Sequence, residues 1–116
     1  MQISLKSTLE IYCKAWNEGD LDGIFRLFRE DAHYDGTSKQ LRGLDAIRQM
    51  YQETFESGAA QELVADVVPL KGGMWAVALY RDAQIVGLKE FNFSNGLIVS
   101  HTLIEDPDII ASMLTP

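Results

Sequence analysis

Near Gln61 the spacing of apolar residues changes from every third or fourth position to every second, and β-branched and aromatic residues replace helix formers. A chain whose helical half precedes its extended half does not alternate strand with helix. This order therefore predicts an α+β domain with helices segregated ahead of an antiparallel sheet. Leu5, Leu9, Tyr12, Cys13 and Trp16 form one stripe of a helix from Ile3 to about Glu18, with Ser4 as its N-cap and Gly19 as its stop. Asp20 caps a second helix whose apolar face runs through Leu21, Ile24, Phe25, Leu27 and Phe28. Residues 32–36 read as a brief strand and 37–42 as a loop with a few extended residues. Gly43 opens a third helix, striped by Leu44, Ile47, Met50, Tyr51 and Phe55 and ended by Ser57-Gly58.

Downstream, strands are predicted over 62–70, 74–81, 84–93 and 97–105, joined at Lys71-Gly72-Gly73, Asp82-Ala83 and Ser94-Asn95-Gly96. Turns this short force antiparallel neighbours, so the four strands form a meander. Pro107 blocks continuation, and 108–114 reads as a last helical turn. A twisted sheet curled over helices does not close at its wide end, which predicts an apolar pocket there.

At 116 residues, 47% of them hydrophobic, the chain fits one domain with its own core. Ten basic against 17 acidic side chains give a net charge of −7, a field that repels phosphate backbones and predicts no nucleic-acid partner. Apolar runs such as 74–79 fall far short of the roughly 20 residues that cross a bilayer, so no membrane association is expected. The first residues lack a basic segment followed by an apolar stretch, which predicts a cytoplasmic location. Cys13 is the only cysteine, so no internal disulfide or thiol metal cluster forms; its place on an apolar stripe marks it as core.

The run from Tyr12 to Ala32, YCKAWNEGDLDGIFRLFREDA, resembles the opening of the nuclear transport factor 2-like superfamily, in its ketosteroid isomerase and SnoaL-like polyketide cyclase branch. A second block, GLDAIRQMY from Gly43 to Tyr51, falls where those proteins place their third helix. The resemblance spans nearly the whole chain and is specific in the first half. It implies a cone-shaped fold of three N-terminal helices packed in a curved antiparallel sheet, a pocket inside the cone, and a homodimer through the outer sheet face. The family includes isomerases, cyclases, hydrolases, dehydratases and proteins without chemistry, so function has to be read from individual positions.

Tyr12 matches the tyrosine that, in the isomerases, donates a hydrogen bond to a dienolate oxygen. A phenol stays protonated at neutral pH and suits that task. The family's general base, a strand aspartate, falls on Gly36, which cannot abstract a proton; Asp35 substitutes only if the strand is bulged or ends there. The family's protonated acid falls on Lys89. These departures predict that the chain is not an ordinary ketosteroid isomerase.

A different polar set remains. Alternation puts His101, Leu103 and Glu105 on one face of the last strand, with Glu105 toward the mouth of the pocket. A three-residue 94–96 loop sets Lys89 opposite His101, and a two-residue Asn95-Gly96 turn sets Glu90 there instead. A lysine cation beside His101 favours a neutral, proton-accepting imidazole. Tyr12, Lys89 and His101 are thus the candidate catalytic residues, and Trp16, Phe28, Tyr34, Phe55, Phe91 and Leu103 the candidate substrate-binding ones. Trp75 and Tyr80 lie on opposite faces of one strand, one expected in the pocket and the other toward a partner subunit. His33 with Asp35 is too sparse for a metal site, and neither metal nor cofactor is expected. The resulting expectation is an isomerase, cyclase or lyase acting on a small apolar carbonyl compound by proton transfer. The alternative is a non-catalytic module that binds a hydrophobic ligand or supports dimerisation.

Overall fold

A computed structural model of the chain describes residues 4–115. Ile3, the expected first residue of the first helix, lies outside them. The order is α1 (Leu5–Glu18), α2 (Leu21–Phe25), β1 (Phe28–Asp35), β2 (Gln40–Arg42), α3 (Leu44–Glu56), a 3-10 turn (Ala60–Glu62), β3 (Val64–Pro69), β4 (Trp75–Arg81), β5 (Gln84–Ser94), β6 (Leu97–Ile104) and α4 (Pro107–Met113). The strands form one open sheet in the order β2-β1-β6-β5-β4-β3. This is the expected α+β cone: α1, α2 and α3 on the concave face, the 3-4-5-6 meander as its wall.

Local signals set the helix ends. Ser4 Oγ accepts from the Ser7 amide at 3.1 Å, and Asp20 accepts from the Gly23 amide at 3.0 Å. Gly19, at φ 70°, closes α1: its amide donates to the Trp16 carbonyl at 3.0 Å and the Asp20 amide to the Ala15 carbonyl at 2.8 Å. Asn17, in the last turn of α1, both donates to the Ala65 carbonyl and accepts from the Ala65 amide at 2.9 Å. That pair clamps α1 to the edge strand β3 and holds Trp16 over the concave face.

Three features differ from expectation. The second helix stops at Phe25, and Phe28 opens a longer β1, because the Leu27 carbonyl accepts from the Ile98 amide at 2.8 Å and the backbone is captured by β6. β1 runs parallel to β6, with Tyr34 beside His101, and β2 adds an antiparallel edge, so the sheet has six strands and one parallel pair. Neither predicted register of the last hairpin holds. Ser94 pairs with Leu97 across a two-residue Asn95-Gly96 turn, but the register then shifts at Val99, which places Phe91, and neither Lys89 nor Glu90, opposite His101. The extra residue reverses alternation, so that Ile98 and His101 are both buried on the concave side.

α4 covers part of the convex face, where it packs Ile110 over Leu70, Ala76, Ala78 and Leu88. Tyr80 joins this second core, whereas Trp75 lies against Lys6 of α1, whose Nζ is 4.8 Å from the ring centroid. Neither aromatic lines the cavity described next. No helix among the described residues is long and apolar enough to cross a membrane.

Candidate active site

A cavity of about 260 Å³ opens between α1, α3 and the concave sheet face. Its wall is apolar at Trp16, Met50, Leu63, Leu79 and Leu103, polar at Tyr34, Tyr51, Thr54 and Lys89, and charged at Arg81 and Glu105. Arg81 and Glu105 are solvent-exposed and mark the mouth, and Glu105 Oε1 accepts from Thr37 Oγ1 at 2.7 Å.

Four polar side chains meet at the inner end. Lys89 Nζ donates to Tyr12 Oη at 3.0 Å and to Tyr51 Oη at 3.2 Å. The two hydroxyls are hydrogen-bonded at 2.6 Å, and Tyr51 Oη meets His101 Nε2 at 3.1 Å. The relative exposures are 0% for Tyr12, 2% for Tyr51, 4% for Lys89 and 0% for His101. Groups so buried are tolerable only when they satisfy one another. Lys89 has no carboxylate within ion-pair distance; among the described residues the ion pairs are Arg29 with Asp31 and Arg81 with Glu62. Its Nζ instead lies 4.7 Å from the ring centroids of Trp16 and Tyr51 and 5.7 Å from that of Tyr12.

Burial governs the proton affinities. It pushes the Lys89 ammonium down to about 7, against a smaller upward pull from Cys13. Burial lowers His101 well below its ordinary range, reinforced by the Lys89 charge; the His33 backbone opposes this without reaching hydrogen-bond geometry. Among the described residues Nδ1 of His101 has no partner, so a doubly protonated ring would bury an N–H without an acceptor there. Both hydroxyls are held protonated. Burial and then Tyr51 raise Tyr12, while burial raises Tyr51 against an opposing hydrogen bond from Tyr12. Burial and then Glu105 raise Tyr34 as well.

The sequence-derived residues divide into two groups. Tyr12, Lys89 and His101 belong to one hydrogen-bonded cluster, yet only Lys89 lines the cavity; Tyr12 and His101 stand behind it. Lys89 and His101 are diagonal neighbours on the sheet and communicate through Tyr51. Trp16, Tyr34 and Leu103 line the cavity. Phe28, Phe55 and Phe91 do not. Phe91 stacks on His101 at 5.4 Å and Phe28 meets its ring edge at 5.2 Å, so both wall off the imidazole. Phe55 faces a separate depression of about 440 Å³ beyond Trp16. Asp35 points to the face opposite Tyr34, away from the cavity. At Gly36 an added Cβ would lie 2.7 Å from Tyr34 Oη, so the Tyr34 ring covers the place where the family resemblance puts a base.

Tyr51 was missing from the candidate set. Its one signal was chemical: it carries the only hydroxyl in the apolar stripe of α3, and a buried phenol needs a partner.

The SnoaL-like domain family matches residues 9–101. No curated protein matches the chain. Among solved structures, a SnoaL-like protein of unknown function from Burkholderia thailandensis is 16% identical, with TM-score 0.70 over 90% of this chain and 99% of that one. A nuclear transport factor 2-like protein of unknown function from Cytophaga hutchinsonii is 14% identical, with TM-score 0.66 over 96% and 97%. A candidate polyketide cyclase from Sinorhizobium meliloti is 17% identical, with TM-score 0.66 over 86% and 95%. Such identities carry the fold and not the activity. The cone, its cavity and the match over most of its length lead to one statement of identity: the chain belongs to the SnoaL-like domain family.

Proposed function

We propose that this protein catalyses proton transfer on a small apolar carbonyl compound held in the cavity, as an isomerase, cyclase or lyase. Lys89 takes the proton from the carbon beside the carbonyl, and Tyr51 donates to the oxygen as charge develops there. The observation that carries this reading is the pairing of Lys89 Nζ and Tyr51 Oη, 3.2 Å apart on the wall of one cavity. The α-carbon and oxygen of a carbonyl compound are separated by a single atom, so one substrate reaches both groups. An amine with its pKa near 7 accepts and returns protons at neutral pH with little bias. Tyr12 and His101 act as positioning residues that fix the Tyr51 hydroxyl from behind. A homodimer through the outer sheet face belongs to the same reading, and light scattering tests it.

The test is deuterium uptake at the α-carbon of small enolisable ketones in heavy water, followed by mass spectrometry. Uptake above buffer that rises with pH through about 7 supports the reading. No uptake across the panel overturns it and favours the second reading, a hydrophobic-ligand binder. That reading is supported by the apolar wall of Trp16, Leu63, Leu79 and Leu103. A saturable thermal shift with apolar ligands that survives Lys89→Met would establish it.

A further inference from the structure

We propose that Lys89 is a covalent amine nucleophile, forming an imine with a ketone or aldehyde in the cavity to make or break the carbon–carbon bond of a β-hydroxy carbonyl compound. The inference rests on the reading that the cavity takes a carbonyl compound, and it adds the bond between substrate and protein.

Three observations carry it. First, Lys89 is buried on the cavity wall without a carboxylate partner, whereas buried lysines are ordinarily paired. An amine desolvated among aromatic rings has lost the solvation that makes an ordinary lysine inert. Second, two hydroxyls lie at 3.0 and 3.2 Å from Nζ, close enough to move protons between the nitrogen and the oxygen that must leave. Third, Glu105 is the only carboxylate on the cavity wall among the described residues and sits at the mouth, so the described inner end offers an amine and hydroxyls but no acid pair. The pKa of about 7 supports this, leaving about half the amine neutral at pH 7.

The steps balance without an oxidant or reductant. The nitrogen lone pair adds to the carbonyl carbon, and one N–H proton passes through Tyr51 to the oxygen. The carbinolamine hydroxyl leaves as water with a proton from Tyr51, giving the iminium and a Tyr51 phenolate. In cleavage, that phenolate takes the β-hydroxyl proton, the Cα–Cβ pair moves into the iminium, and the β-carbon departs as a carbonyl compound. The enamine is then protonated at Cα by Tyr51, and water adds to the iminium, releasing the ketone and neutral Lys89 while the surplus proton returns to the Tyr51 phenolate.

The experiment uses the wild-type chain with acetone and cyanoborohydride at pH 7, mapped by peptide mass spectrometry, beside deuterium exchange into acetone without reductant. The expected result is an isopropyl group on Lys89 in at least about tenfold excess over the exposed Lys6, Lys14, Lys39 and Lys71, together with deuterium uptake. Uptake without excess labelling at Lys89 overturns the imine and leaves non-covalent proton transfer standing. Neither uptake nor labelling overturns both. Lys89→Arg, which keeps a cation but forms no imine under these conditions, is expected to lose aldol cleavage; retention of cleavage in that variant also overturns the proposal.

Discussion

Ala76 and Val77 are neighbours on β4, both fully buried, and they belong to different interiors. Ala76 faces α4 with Ala78, Leu88 and Ile110, an apolar cluster. Val77 faces the cone, and its cross-strand partner is Lys89. There the sheet buries an ammonium, an imidazole and two phenols within one hydrogen-bonded cluster. The convex core resists change through volume alone, whereas the concave core also depends on the mutual satisfaction of polar groups. The proposed function puts proton transfer on the concave face alone, so substitutions on the two faces are expected to separate stability from exchange.

The strongest separation is expected from Lys89→Met. Deuterium exchange should fall at least about 10³-fold, while the melting temperature holds or rises, because an apolar side chain of similar length removes a buried unpaired charge. A variant that keeps its exchange would place the chemistry elsewhere. On the opposite face, Ile110→Ala should lower unfolding stability by about 2–4 kcal/mol in urea, with exchange per folded molecule unchanged. Loss of exchange in a folded Ile110→Ala protein would break the division between the faces.

Tyr51→Phe comes next, with an expected loss of about 10²-fold in exchange, the usual effect of deleting one donor to a developing oxyanion. Because its absence also leaves His101 Nε2 without a partner, a lower melting temperature is expected as well. The smallest effect concerns pH. Lys89 holds its proton less tightly folded than unfolded, so between its folded pKa of about 7 and its unfolded value the unfolded chain binds the extra proton. Stability should therefore rise with pH from about 7 to 9, at up to about 1.4 kcal/mol per unit from this group. At higher pH, Cys13, raised to about 12 by burial, and the two phenols reverse the trend, because the folded state keeps protons that the unfolded chain releases. Urea titrations of wild type and Lys89→Met check this: the rise should vanish in the variant.

The fold was legible because its cues are local. Ser4, Gly19 and Asp20 cap or stop helices through their own backbone geometry and nearest turns. The change from a helical to a strand period needs only the alternation of side chains. Where the reading failed, a distant segment decided. Phe28 entered a strand because β6 takes the Leu27 carbonyl, a contact invisible to helical spacing. The candidate site was legible in chemistry but not in arrangement. Lys89, Tyr12 and His101 are unusual choices for buried positions, whereas Tyr51 looked like one more member of an apolar stripe.

The residues alone determined that helices would pack inside an antiparallel wall and offered Tyr12, Lys89 and His101 as polar candidates for its inner face, because period, caps and turn chemistry act over a few positions. Which of those groups touch was decided by tertiary structure. The shift at Val99 turns both Ile98 and His101 inward and leaves Phe91, rather than Lys89, opposite the imidazole. A bulge is a choice between registers whose turns are almost equally good, and it is settled by how both faces of the sheet pack. For the same reason α3, far from β5 and β6 in sequence, supplies the hydroxyl that links Lys89 to His101.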